Sequence, residues 1–280
     1  MDWIAGVVAV RPNKVLLPID LADHSANLLR QAAYVARRFC AEIVLLHVVR
    51  PSDRATEMVH DRLEQIVGSE FAGIAVKWQV VQGEVAQQIE QTARNESIDL
   101  IMMAPHSHGA IHRLALGSVT AKVLRQTGYP VWTATCEEDT SSEQFSVRRL
   151  LCAIDLGAHS ARTLAHAREV ANAFNAKLTL VHVTAGVEIY GPGGAVPLPD
   201  WREELRSVAA AELERLQRKE DTAFESIIDS GNVAETLNRV AQDTHADLLM
   251  IGRLPGGGHL GANGAGYALV RDSVVPVLSM

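Results

Sequence analysis

Two aspartates stand at matching places in this 280-residue chain. Asp20 closes the apolar run "KVLLPID", Asp155 closes "RLLCAID", and each is followed by a serine at the same distance, Ser25 and Ser160. An aspartate at the carboxyl end of a strand can accept a ligand hydroxyl, cap the next helix, or move a proton. Neither has a nucleophile or a second carboxylate at a spacing visible in sequence, so ligand binding or loop capping is preferred to catalysis. His47 and His182 lie near the ends of matching apolar runs and read as packed, hydrogen-bonded side chains rather than general bases. His106, His108 and His112 invite a metal, but no carboxylate or cysteine sits nearby, and no metal is expected. Glycine is dense from Gly252 to Gly266. Glycine-rich backbone can close on phosphate oxygens, yet without a fixed spacing it is a weak signal, and a surface loop is the simpler reading.

The aspartates belong to a tandem duplication. Residues 14–49, "KVLLPIDLADHSANLLRQAAYVARRFCAEIVLLHVV", match 149–183, "RLLCAIDLGAHSARTLAHAREVANAFNAKLTLVHV", at an offset of 135. Residues 80–109 match 227–256, with Gly83 on Gly231 at an offset of 148. The difference is an insertion in the second copy, "AGVEIYGPGGAVPLPDW" (185–201). Pro130 then pairs with Pro276 at 146, so the second copy is two residues shorter after its fourth strand. One fold copied in tandem carries two candidate sites. The expected units are 1–137, including an N-terminal arm at 1–12, then a linker at 138–147 and a second unit at 148–280. The linker is acidic and serine-rich.

Each copy runs from an apolar strand through a helix into a second apolar strand, a parallel βαβ unit. In the first copy the pattern predicts strands at 14–19, 42–48, 74–81, 100–104 and 131–134. It predicts helices at 25–39, 52–67, 85–95 and 118–126. Near-continuous apolar strands imply a sheet covered by helices on both faces. The charged segment 203–221 reads as an amphipathic helix with a solvated outer face.

Composition bounds the function. Apolar residues make up 48% and charged residues 21%, enough for each half to bury a core. Net charge is −7 with no lysine or arginine run, which argues against a nucleic-acid partner. Cys40, Cys136 and Cys152 are far apart and in no metal or redox spacing, as in a reduced compartment, and Cys152 reads as a core residue. The apolar run 3–10 lacks a basic start and is too short to span a bilayer. A cytoplasmic protein with no membrane partner is expected.

Three blocks in order carry a family resemblance. Pro18-x-Asp20 ends the first strand, "AEIVLLHVV" forms the second, and "ALGSVTAKVLRQTGYPVW" closes the copy. With their counterparts in the second half, they resemble the universal stress protein family over nearly the whole chain. The resemblance implies an α/β fold of two domains. Each would be a five-stranded parallel sheet of order 3-2-1-4-5 with helices on both faces, paired through the fifth strands as a pseudo-twofold dimer. A homodimer of whole chains, and protein partners that the sequence does not name, remain open.

It also implies a site. In an open parallel sheet a ligand binds beyond the carboxyl ends of the strands where their order reverses, here between the first and fourth. In ATP-binding members a G-x2-G-x9-G-[S/T] loop wraps phosphates, the first-strand aspartate holds ribose, and backbone after the second-strand histidine meets adenine. Here those positions are Asp20 (with Pro18) and Val48 in the first half, and Asp155 and Val183 in the second. In the first loop, Ala104, Ser107 and Gly117-Ser118 keep the spacing with two of three glycines gone, and Pro105 removes a donor. The second loop keeps Gly252, puts Pro255 at the second glycine, and has Gly264 where the serine was. The expectation is weak binding of AMP, ADP or ATP by a stress-response module without enzymatic turnover. The alternative is a family member that has lost nucleotide binding and acts as an interaction scaffold.

Overall fold

The computed structural model describes residues 11–21, 26–49, 57–105, 116–135, 145–184, 188–191, 194–197, 199–253 and 265–280. The first half contains β1 (Lys14–Pro18), α1 (Ala26–Phe39), β2 (Glu42–Val49), α2 (Glu57–Glu70), β3 (Val76–Gln82), α3 (Val85–Asn95), β4 (Leu100–Met103), α4 (Ser118–Gln126) and β5 (Val131–Thr133). The second contains β6 (Arg149–Ala153), α5 (Ser160–Phe174), β7 (Lys177–Thr184), the hairpin β8 (Glu188–Gly191) and β9 (Gly194–Pro197), and α6 (Pro199–Lys219). It continues with β10 (Glu225–Ser230), α7 (Val233–Asp243), β11 (Leu248–Ile251), α8 (Ala265–Asp272) and β12 (Val277–Ser279).

The copies share local physics as well as pattern. Glu84 and Asn232 cap α3 and α7, each side chain accepting two backbone N–H groups of the first turn. The first helix of each copy ends on a left-handed residue, Cys40 and Asn175. There the following amide bonds back to Ala36 and Ala171, satisfying carbonyls the helix leaves unpaired.

A single ten-stranded sheet runs through both halves in the order β10-β7-β6-β11-β12-β5-β4-β1-β2-β3. Counted within each half this is 3-2-1-4-5, and all pairs within a half are parallel. The halves join where β5 and β12 pair antiparallel, with Trp132 opposite Leu278. Equivalent strands paired antiparallel make the pseudo-twofold relation, and the join removes one open sheet edge from each half.

Two apolar layers cover the two faces of the sheet. On the α1/α5 face Tyr34, Phe39, Trp132, Phe145 and Phe174 form one aromatic group drawn from both halves. Val147, at the end of the predicted linker, is buried and donates its amide to the Tyr34 hydroxyl at 3.1 Å. Cys152 is fully buried, and burial pushes its thiol up to about 12, as suits a core residue.

Observed strands and helices depart from the predicted ones mainly at their ends. The predicted start of the second helix and residues 1–10 of the arm lie outside the described residues, as does most of the linker. The insertion at 185–201 forms the β8–β9 hairpin and the first turn of α6, which at 21 residues exceeds its counterpart α2 at 14. Among the described residues no helix is long and apolar enough to cross a membrane.

Candidate functional site

The strand order reverses between β1 and β4, and there the two halves differ. Pro18 ends β1 and has no N–H to give to β4. The β1–β4 ladder has two pairs, Val15–Leu100 and Leu16–Ile101. In the second half the matching residue is Ala153, and the β6–β11 ladder runs four pairs, through Ala153–Ile251. Pro18 therefore removes ladder bonding at the carboxyl end of β1 that the second half keeps, while β1 and β4 stay side by side with Leu17 and Met102 buried. Asp20 lies exposed two residues beyond Pro18, at the crevice that an open parallel sheet forms where its strand order reverses.

The far wall of this crevice is β2. The Ile19 amide donates to the Leu46 carbonyl at 2.8 Å. The Ile19 carbonyl meets Nδ1 of His47 at 3.0 Å. A carbonyl only accepts, so Nδ1 carries the proton and Nε2 is the acceptor of the neutral ring. Strand alternation decides what Val48 can do. Ile43 and Val49 bond toward β3, and Leu46 bonds toward β1. Val48 shares the side of Leu46, so its N–H and C=O face the space just past the end of β1. The second half repeats the device, with His182 Nδ1 at 2.7 Å from the Ile154 carbonyl, so Val183 takes the same orientation.

The third wall is the start of α4. Gly117 is its N-cap, without a side-chain cap. The Gly117 amide donates to the Pro105 carbonyl at 2.9 Å, and the Thr120 hydroxyl to the Ala104 carbonyl at 2.9 Å. These two bonds tie the start of α4, with Ser118, to the exit of β4 at the carboxyl edge of the sheet. A helix start presents N–H groups and partial positive charge, which suit an anion.

The second half uses the matching residues differently. Asp155 accepts the Gly157 amide at 2.9 Å and the Ser160 hydroxyl at 2.7 Å on one oxygen, tying the turn that opens α5. Gly252 lies against α5, where a Cβ would stand 2.5 Å from Thr163 Oγ1. Packing against Thr163 thus favours a glycine at this position. Arg253, the match of Pro105, points across to the first half. Its guanidinium donates to the carbonyls of Leu124 and Thr127, each at 3.2 Å, and to that of Tyr129. Burial lowers its pKa to about 10.

The universal stress protein family model matches residues 12–134 and again 146–278. The chain belongs to the universal stress protein family. It is a tandem two-domain member. Among curated proteins, a universal stress protein of Methanocaldococcus jannaschii is 25% identical over 135 residues, spanning 42% of this chain and 79% of the relative. Another, from Bacillus subtilis, is 27% identical over 142 residues, 42% of this chain and 96% of the relative. Among solved structures, one of unknown function from Pseudomonas aeruginosa has a TM-score of 0.70 at 17% identity, covering 97% of this chain and 93% of its own. A universal stress protein of Archaeoglobus fulgidus has a TM-score of 0.66 at 21% identity, covering 95% and 97%. At these identities the solved structures support the fold.

Within this universal stress protein, Pro18, Asp20, Val48, Ala104, Gly117 and Ser118 gather at one end of the first half. Asp155, Val183 and Gly252 gather at the matching end of the second. Ser107 and Gly264 lie outside the described residues, as do His106, His108, His112 and Pro255. Among the described residues no group of three metal-ligating side chains occurs. Sequence reading missed Thr120, Thr163 and Arg253. Only the last had a visible signal, a cationic residue replacing a proline at a duplicated position.

Proposed function

We propose that this tandem universal stress protein is a stress-response binding module. Its first half takes an adenine nucleotide weakly, preferring AMP or ADP to ATP. The observation that carries this reading is the convergence, where the strand order reverses, of Asp20, the outward backbone of Val48 and the amide end of α4. Asp20 would accept the ribose hydroxyls, Val48 would pair with the adenine edge, and the α4 amides with Ser118 would hold the first phosphate. Replacement of the glycines by Ala104 and Ser107, with the donor lost at Pro105, weakens the grip on outer phosphates. The second half, with Asp155 taken up by Gly157 and Ser160 and Arg253 turned away, binds more weakly.

Titration calorimetry with AMP on wild type, Asp20→Ala and Asp155→Ala tests the assignment. The expected result is loss of most affinity in Asp20→Ala and near-wild-type binding in Asp155→Ala. The reverse pattern overturns it. If wild type takes no nucleotide at about millimolar concentration, the second reading stands: a scaffold using the family fold for protein association. The altered loop at Ala104 and Pro105 favours that reading.

A further inference from the structure

The exits of β4 and β11 are equivalent positions in the duplication, and both hold the same helix. Ala104 and Pro105 hold the first turn of α4 through the Thr120 hydroxyl and the Gly117 amide. Arg253 holds the other end from the opposite half, through the carbonyls of Leu124, Thr127 and Tyr129. The Arg253 backbone is itself fixed, its amide donating to the Met280 carbonyl at 2.5 Å. The last carbonyls of a helix have no partner within it and carry partial negative charge, which a guanidinium satisfies well.

The arrangement is one-sided. The end of α8 is capped from its own half, by Asn238 donating to the Asp272 carbonyl at 2.9 Å. The match of Asn238 in the first half is Glu90, which pairs with Arg94 at 2.9 Å and, as a carboxylate, can give a carbonyl nothing. The first half has lost its own cap, and the second half supplies one. Proline at 105, the match of Arg253, leaves no reciprocal arm.

We propose that Arg253 is a positioning residue for the first half's site, acting across the domain join through α4. The helix has nine residues and is about 13 Å long, short and stiff enough that freeing one end shifts the other. The site half of this proposal rests on the nucleotide reading above; the positioning half does not.

Hydrogen exchange on the full chain tests the positioning directly. In Arg253→Met, exchange at both the Thr127 amide, which donates to Val123, and the distant Gly117 amide should quicken about tenfold, within the usual range of intersite coupling. Arg253→Lys, which keeps the charge and a donor, should recover part of the protection. Leu213→Ala, on the buried face of α6, serves as a control of general destabilisation and should leave Gly117 unchanged. Faster exchange at Thr127 alone, or an equal effect of Leu213→Ala on Gly117, overturns the inference. If Arg253→Met does not fold, the lysine variant against the control decides by the same two amides. Calorimetry with AMP adds the site: affinity should weaken about fivefold in Arg253→Met, and unchanged affinity with a loosened Gly117 overturns the link to binding. Absence of AMP binding in wild type counts against the nucleotide reading, while the Gly117 readout still decides the positioning role.

Discussion

Gly252 and Thr163 are packed so closely that a methyl group on the glycine would stand 2.5 Å from the threonine Oγ1. Relief would need Thr163 to turn about its Cα–Cβ bond, which gives up the hydrogen bond of its hydroxyl to the His159 carbonyl. Gly252→Ala should therefore destabilise the protein by about 1–3 kcal/mol, the range for overpacking a close contact. Thr163→Ala in the same chain should recover most of the loss. Urea unfolding of the two single variants and the double variant measures the coupling. Additive losses would mean that the contact does not matter.

A second relationship lies in the core of the first half. Trp132 donates its indole N–H to Gln31 Oε1 at 2.7 Å, and Gln31 donates to Asn27 Oδ1 at 3.0 Å. Asn27 in turn donates to the Thr135 hydroxyl at 2.7 Å. Gln31 and Trp132 are almost wholly buried. Gln31→Leu leaves the indole N–H without its acceptor and should cost about 1–3 kcal/mol. Equilibrium denaturation followed by Trp132 fluorescence checks this; stability equal to wild type would refute it.

Glu84 links α3 and α4 at the rim of the first half's site. The Lys122 ammonium at 2.9 Å, with the Gln87 and Ala86 amides, outweighs partial burial and holds its carboxyl below the ordinary value of 4.5. A lowered folded-state pKa contributes stability above the unfolded value, lost as pH falls through the folded one. The contribution is thus present above about pH 4.5 and fades below it. Glu84 is largely exposed, so the effect is small. Glu84→Gln should be slightly less stable than wild type at neutral pH and equal to it well below pH 4. A gap that persists in acid would show that charge is not the cause.

No described side chain at the crevice forms a base, an arginine clamp and a metal-binding carboxylate pair together, the set that phosphoryl transfer uses. The expected outcome with ATP is binding without sustained turnover. Phosphate release near about 1 s⁻¹, an ordinary enzyme rate, that survives exhaustive purification and tracks Asp20→Ala would contradict it.

What the amino-acid order determined by itself is what depends on neighbours along the chain. The duplication and the apolar runs of β1, β2 and β4 are legible there, because strand burial is a local property. Asp20 and Gly117-Ser118 could be singled out for the same reason: each stands at a strand end or a helix start. Tertiary structure decided what depends on partners far away in sequence. The pairing of Trp132 with Leu278 needs two edges to meet, and the ladder bond missing at Pro18 shows only when its absent N–H is set beside β4. Val48 turns its backbone to the crevice because Leu46, two residues earlier, is bonded to β1. Gly252 reads in sequence as a phosphate glycine, and in space it is also the residue that lets Thr163 approach. Arg253 is a single departure from the repeat in one dimension and a tie between halves in three. Its partners lie more than a hundred residues away in sequence, where no local pattern could point to them.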